Sequence, residues 1–257
     1  MGICVSGKPE EVSNLFLLTQ CDHDAKRIAE ELMEDVQVFH SIRNMCGYTG
    51  TYRGVRVSLQ GLGIGNVSAS IYVTELEKEF TPACFVKVDG CTALQAHLQP
   101  GDLVLAQTVY STSAINRRQF RNRVFPAAAD FDLLYQASQR AEDAGWNVHV
   151  GPVVSIETRS EWPVAQKFAR FGALALDLEM NQVYTVANRE ETPVLGLLRV
   201  FENHETGACY TEEQCCATYM ELARFALDLL IVQDATVRPK RTTRVDPRTE
   251  NLFCENK

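Results

Sequence analysis

Apolar and polar positions follow two rhythms along this chain, and the switches between them mark out its elements. Residues 14–19 (Asn-Leu-Phe-Leu-Leu-Thr) form a short continuous apolar run of buried-strand length. Over 23–34 the spacing of Ala25, Ile28, Ala29 and Leu32 predicts a helix with one apolar face. Residues 49–53 and 55–61 read as a hairpin turning at Gly54. A helix is expected at 67–79, strands at 83–88 and 102–113, and a helix at 132–144 stopped by Gly145. Strands follow at 146–157, 173–178 and 193–201, with a helix at 179–190 between the last two. The helix at 211–231 is the plainest. Thr211 can cap it, Glu212 and Glu213 sit at the positive end of its dipole, and Cys216, Met220, Ala223, Leu227, Leu230 and Ile231 make its stripe. Strands alternating with helices predict an α/β fold, a parallel or mixed sheet flanked by helices.

Composition narrows this to one domain. The chain has 257 residues, 46% of them hydrophobic, enough for one large core. That core is expected within residues 1–235. Residues 236–257 hold six basic and three acidic side chains and few apolar ones, so this tail is expected to be disordered. A net charge of −8 repels a phosphate backbone and argues against nucleic acid as a partner. No run of 18 apolar residues occurs, so no membrane partner is expected. The opening Met1-Gly-Ile-Cys-Val-Ser6 has no leader pattern; Gly2 with Ser6 fits a myristoylation signal only as short motifs do by chance. Nine cysteines, irregularly spaced and without a CxxC, read as small buried hydrophobes in a reducing cytoplasm, with no metal and no cofactor implied.

Four segments suggest chemistry. Gly61-Leu-Gly-Ile-Gly65 precedes a helix, but no Lys-Ser/Thr follows it and its glycines miss the dinucleotide spacing. It is either a tight turn or a backbone that approaches a ligand. Asp177-Leu-Glu-Met180 lies where a strand passes into a helix; its acids can cap the helix or bind sugar hydroxyls. Val200-Phe-Glu-Asn-His204 ends another strand, where ligands of α/β sheets bind, and offers Glu202 as a proton donor with Asn203 or His204 beside it. Asn116–Arg123 is a basic cluster, suited to an anion, to solvent or to a subunit contact.

Taken in order, these segments resemble the hexameric, bacterial-type purine nucleoside phosphorylases, from about residue 14 to about residue 232. The most specific pieces are Met45-Cys-Gly-Tyr-Thr-Gly-Thr-Tyr-Arg-Gly54, Gly61-Leu-Gly-Ile-Gly-Asn-Val-Ser-Ala-Ser-Ile-Tyr72, Ile115-Asn-Arg-Arg-Gln-Phe120 and Ala129-Asp-Phe-Asp132. The resemblance implies a single α/β domain around a mixed, barrel-like sheet. It also implies a homo-oligomer, a trimer of dimers in which each site borrows residues from a neighbour. The implied activity is cleavage of the N-glycosidic bond of purine (deoxy)ribonucleosides by phosphate, in purine salvage.

Carried across position by position, the ribose site looks preserved: Glu179 matches the glutamate that grips the sugar hydroxyls, and Leu178 and Ile64 match its apolar neighbours. The base site is altered. Glu202 stands where the family has a proton-donating aspartate, Cys215 replaces the arginine that supports that aspartate, and Arg159 replaces a stacking aromatic. Cys91 is kept, Thr92 replaces a glycine, and Asp177 shortens a glutamate. The phosphate site departs furthest. Gln20 replaces a glycine, Asp24 and Lys87 replace arginines, and Gly90, preceded by Asp89, replaces a serine. Arg43, lent by the neighbour, is retained, and a lent histidine falls near Cys4. Exchanging an arginine for Asp24 reverses a charge worth about 4 kcal/mol at ~4 Å from a unit charge. Two other activities therefore stand beside phosphorolysis: a phosphate-independent nucleoside hydrolase using Asp24 or Asp89 as base, and a non-catalytic nucleoside-binding or hetero-oligomer partner.

Overall fold

The computed structural model describes residues 2–234, and the tail expected at 236–257 lies outside them. In chain order the elements are β1 (Leu15–Thr19), α1 (Asp22–Leu32), β2 (Glu34–His40), β3 (Gly47–Tyr52), β4 (Val55–Gly61), α2 (Asn66–Phe80), β5 (Cys84–Ala93) and β6 (Leu103–Ser111). There follow α3 (Ala114–Gln119), β7 (Ala127–Ala128), α4 (Phe131–Asp143), β8 (Val148–Ser155), α5 (Trp162–Ala169), β9 (Ala175–Asp177), α6 (Met180–Arg189), β10 (Val194–Asn203) and α7 (Glu212–Asp234).

One mixed sheet runs β10-β6-β8-β9-β5-β1-β4-β3-β2, and β10 also pairs with β5. That extra pairing closes β5, β10, β6, β8 and β9 into a barrel, while β1 and the β4-β3-β2 meander extend from β5. The expected mixed, barrel-like α/β fold is the one observed. One apolar cluster joins Phe16, Phe85, Leu98, Val104, Met180, Tyr184 and Leu198 beneath α2 and α6. A second joins Leu17, Val86, Leu105, Leu195, Ala223 and Leu227 beneath α1, α4 and α7. The sheet thus buries both faces, which is why β1 reads as an uninterrupted apolar run.

Local signals account for most boundaries. Asp130 caps α4 by accepting the Leu133 N–H at 3.0 Å. Thr211 and Gln214 cap α7 reciprocally, the hydroxyl accepting from Gln214 N–H at 3.3 Å and the amide oxygen from Thr211 N–H at 2.9 Å. Four departures from expectation have physical causes. The helix expected over 23–34 stops at Leu32, because Glu34–His40 is the edge strand β2. Its mostly solvated side chains, with Val38 exposed, give no apolar alternation. The strand expected at 83–88 continues to Ala93, its polar end being held by β10 and β9. The short helices α3 and α5, of six and eight residues, span too few turns to show a period. Cys216, placed on the α7 stripe by its spacing, is exposed near the start of the helix, where it faces an open cleft and not the core.

Candidate active site

The ends of β1, β5, β8, β9 and β10 and the N-terminal parts of α1 and α7 meet at one end of the barrel. A cleft of about 1170 Å³ opens there. Each polar group in it is placed by a local device of the chain.

Lys87 and Asp89 stand two apart on β5 and so share a face of the sheet. The Lys87 Nζ lies 2.5 Å from Asp89 Oδ2 and 3.4 Å from Glu179 Oε2. Lys87 and Glu179 are fully buried, and Asp89 nearly so. Burial opposes the Lys87 charge, but Asp89, Glu179 and Asp177 together hold its ammonium above the ordinary lysine range. Burial pushes the Asp89 carboxyl up, only partly offset by Lys87. It also pushes Glu179 up to about 7, again against the pull of Lys87.

Glu179 holds the N-cap position of α6, and its side chain reaches the glycine-rich turn. Its Oε1 accepts the Gly65 N–H at 2.8 Å and the Gln20 amide at 3.1 Å. Gly63 and Gly65 take φ of 74° and 93°, which explains glycine at both. The turn therefore brings backbone to a carboxylate of the chain itself. Glu179 Oε2 makes no hydrogen bond among the described residues and faces only the Lys87 ammonium. Asp177 is engaged throughout: Ser155 donates its hydroxyl to Oδ1, and Oδ2 accepts the Glu179 and Met180 N–H groups at 3.0 and 2.7 Å. The helix-capping function open to this acid is thus filled.

Glu202 projects from β10 just after a bulge: Val200 pairs with Cys91 and Glu202 with Thr92, leaving Phe201 as the extra residue. The Thr92 hydroxyl donates to Glu202 Oε1 at 2.6 Å. Cys215 lies nearby on the cleft wall, and the side-chain hydrogen bond to Glu202 comes from Thr92. The displaced Phe201 ring packs on Gly90, where an added Cβ would lie 2.2 Å from Cε2. A serine at position 90 would therefore require the Phe201 ring to shift. Asn203 is structural, its amide nitrogen donating to the Gln95 and Leu98 carbonyls at 2.9 and 2.6 Å.

The expected site residues separate into three groups. Gln20, Asp24, Gly90, Cys91, Thr92, Arg159, Asp177, Leu178 and Glu202 all line the cleft. Glu179 and Lys87 lie behind its wall, joined to it through Gln20 and Asp89. Ile64 and Arg43 do not line the cleft; Ile64 is 70% exposed beside Gly65, and Arg43 is exposed on the turn between β2 and β3.

Several lining residues carried no sequence signal. Arg27, one turn beyond Asp24, brings a guanidinium to the cleft, where it pairs with Glu31 at 2.7 Å. Trp162, three residues after Arg159, offers an aromatic ring where the matched aromatic is missing, and packs edge-on to His204 at 4.4 Å. Among the described residues no cluster of three or more His, Cys, Asp or Glu is arranged to hold a metal ion.

A family model described as the phosphorylase superfamily matches residues 14–224. The chain belongs to the phosphorylase superfamily. It is 35% identical over 235 residues to the DeoD-type purine nucleoside phosphorylase of Bacillus cereus, spanning 91% of this chain and all of the relative. The DeoD-type enzyme of Bacillus thuringiensis matches with the same identity and coverage. A crystal structure of uridine phosphorylase from Vibrio fischeri superposes with a TM-score of 0.79 at 24% identity, over 90% of this chain and 97% of that one. That likeness is one of fold. Within the superfamily match fall the Lys87-Asp89-Glu179 cluster and the Thr92-Glu202 pair. No helix among the described residues is long and apolar enough to cross a membrane.

Proposed function

We propose that the cleft cleaves the N-glycosidic bond of a purine (deoxy)ribonucleoside with inorganic phosphate as nucleophile, releasing free base and pentose 1-phosphate. The observation that carries this reading is the placing of two carboxylates around one cleft. Glu202 stands at the solvent side on a strand end, and Glu179 sits behind Gln20 on the rigid start of α6. Full-length similarity to purine nucleoside phosphorylases supports it.

In this reading Glu202 protonates the departing base at N7 while Thr92 orients it, with Cys91, Arg159 and Asp177 on the base side. Glu179 takes the ribose hydroxyls, with Leu178 and Ile64 against the sugar. Gln20, Asp24, Lys87 and Gly90 surround the nucleophile, completed by Arg43 from a second copy of the chain in a homo-oligomer. Neither nucleic acid nor membrane has a part in it, and the work belongs to the cytoplasm. The test is base release from inosine, guanosine, adenosine and their 2′-deoxy forms, with and without phosphate. Release that requires phosphate upholds the reading. Release indifferent to phosphate replaces it with hydrolysis, a second reading favoured by the Asp24 and Asp89 carboxylates on the cleft wall.

A further inference from the structure

Lys87 is a cation that a phosphate nucleophile would seek at this end of the cleft, yet it has no free face. Its ammonium is held by Asp89 Oδ2 at 2.5 Å and by Glu179 Oε2 at 3.4 Å, and none of its surface reaches solvent. Asp89 does line the cleft, so its carboxylate stands between the ammonium and an incoming ligand. The other oxygen, Oδ1, accepts the Gly90 N–H at 2.9 Å. Asp89 therefore takes an ammonium with one oxygen and a backbone amide with the other, the two donor types that a phosphate would use there. One positive charge already meets two carboxylates, and Asp24 adds a third to the same wall.

We propose that Asp89 is a specificity-determining residue that acts as an internal competitor for the phosphate subsite and sets how much phosphate the reaction needs. The inference rests on the phosphorolytic reading given above. Phosphate reaches Lys87 and the Gly90 N–H only in the fraction of molecules whose Asp89 side chain has turned away. The apparent affinity is reduced by that fraction. The base side of the cleft, with Glu202 held by Thr92, contacts neither Lys87 nor Asp89 and is not taxed in the same way.

The experiment compares wild type with Asp89→Asn, which keeps the shape and removes the charge. In phosphate titrations of base release, the half-saturating phosphate falls five-fold or more in Asp89→Asn, while KM for the nucleoside stays within two-fold. An unchanged or higher phosphate requirement in the folded variant overturns the proposal. A second readout needs no turnover: the rise in Tm produced by inorganic phosphate, at ionic strength matched with chloride. That rise is larger in Asp89→Asn than in wild type; equal rises overturn the proposal. If base release ignores phosphate in both proteins, the phosphorolytic reading fails, and the melting comparison still decides the role of Asp89. Asp89→Ser, with a smaller side chain, must move both readouts in the same direction and serves if Asp89→Asn does not fold.

Discussion

Thr92 donates its hydroxyl to Glu202 at 2.6 Å, across paired positions of two parallel strands. The bond fixes the carboxyl at the cleft wall and leaves the other oxygen, Oε2, to a ligand. A proton donor held this way matters only in the step that needs the proton. Glu202→Gln is therefore expected to lower kcat for inosine by about 10²-fold or more, with KM little changed. A nucleoside methylated at N7 already carries the charge that protonation supplies, so its cleavage should survive the substitution. Equal losses on both substrates would remove Glu202 from proton transfer. Thr92→Val, which deletes the hydrogen bond that orients this carboxyl, is expected to cost about ten-fold in kcat on inosine.

The fold was legible because its long elements carry clean periods: the apolar run of β1, the face of α1, the stripe of α7. The edge strand β2 was not, since it is mostly exposed and only Val36, Phe39 and His40 turn inward, without regular alternation. At the site, spacing placed Glu179 and Glu202 at the start of a helix and the end of a strand, where they are found. The partners of these acids were hidden for another reason. Thr92 meets Glu202 only through strand register, and Lys87 of β5 meets Glu179 only once two distant segments pack together. Gly90, the position matched to a serine, is covered by the ring of Phe201, a contact that only the folded chain reveals.

That clash yields a prediction of its own. Gly90→Ser, which writes the matched serine back, forces its Cβ against the Phe201 ring and is expected to lower stability by about 1–3 kcal/mol without improving phosphate use. Gly90→Ser combined with Phe201→Ala opens the space and should recover part of the loss. Urea unfolding midpoints of the two proteins check this; a single variant as stable as wild type would show that the ring moves freely.

Glu179 couples the site to pH. Its carboxyl is pushed from an ordinary value of 4.5 to about 7 in the fold, by burial. The folded chain therefore holds a proton that the unfolded chain has released between those values. Stability from this group rises as pH falls through that window, and the penalty of the ionised form is complete above it. Glu179→Gln removes the penalty and leaves Lys87 in a one-to-one pair with Asp89. The variant should melt above wild type at pH 8, by roughly 2–4 °C for each kcal/mol at this size. The gap should close towards pH 5, where wild-type Glu179 is also neutral. Activity should fall at every pH, because an amide grips sugar hydroxyls less strongly than a carboxylate. A gap that does not change with pH would show that Glu179 does not titrate in this window.

Lys87 is the member of the cluster whose loss should be felt most. Lys87→Met strands two buried carboxylates without their cation, and breaking such a pair by removing one partner costs about 3–5 kcal/mol. The same substitution joined to Asp89→Asn removes one stranded charge as well, so the double variant should be more stable than Lys87→Met alone. The interaction energy from that cycle, read from urea unfolding of all four proteins, measures how strongly the ammonium and Asp89 hold each other. Additive losses would mean that Glu179 alone carries the pairing. The competition between Asp89 and phosphate for Lys87 would then have no physical basis.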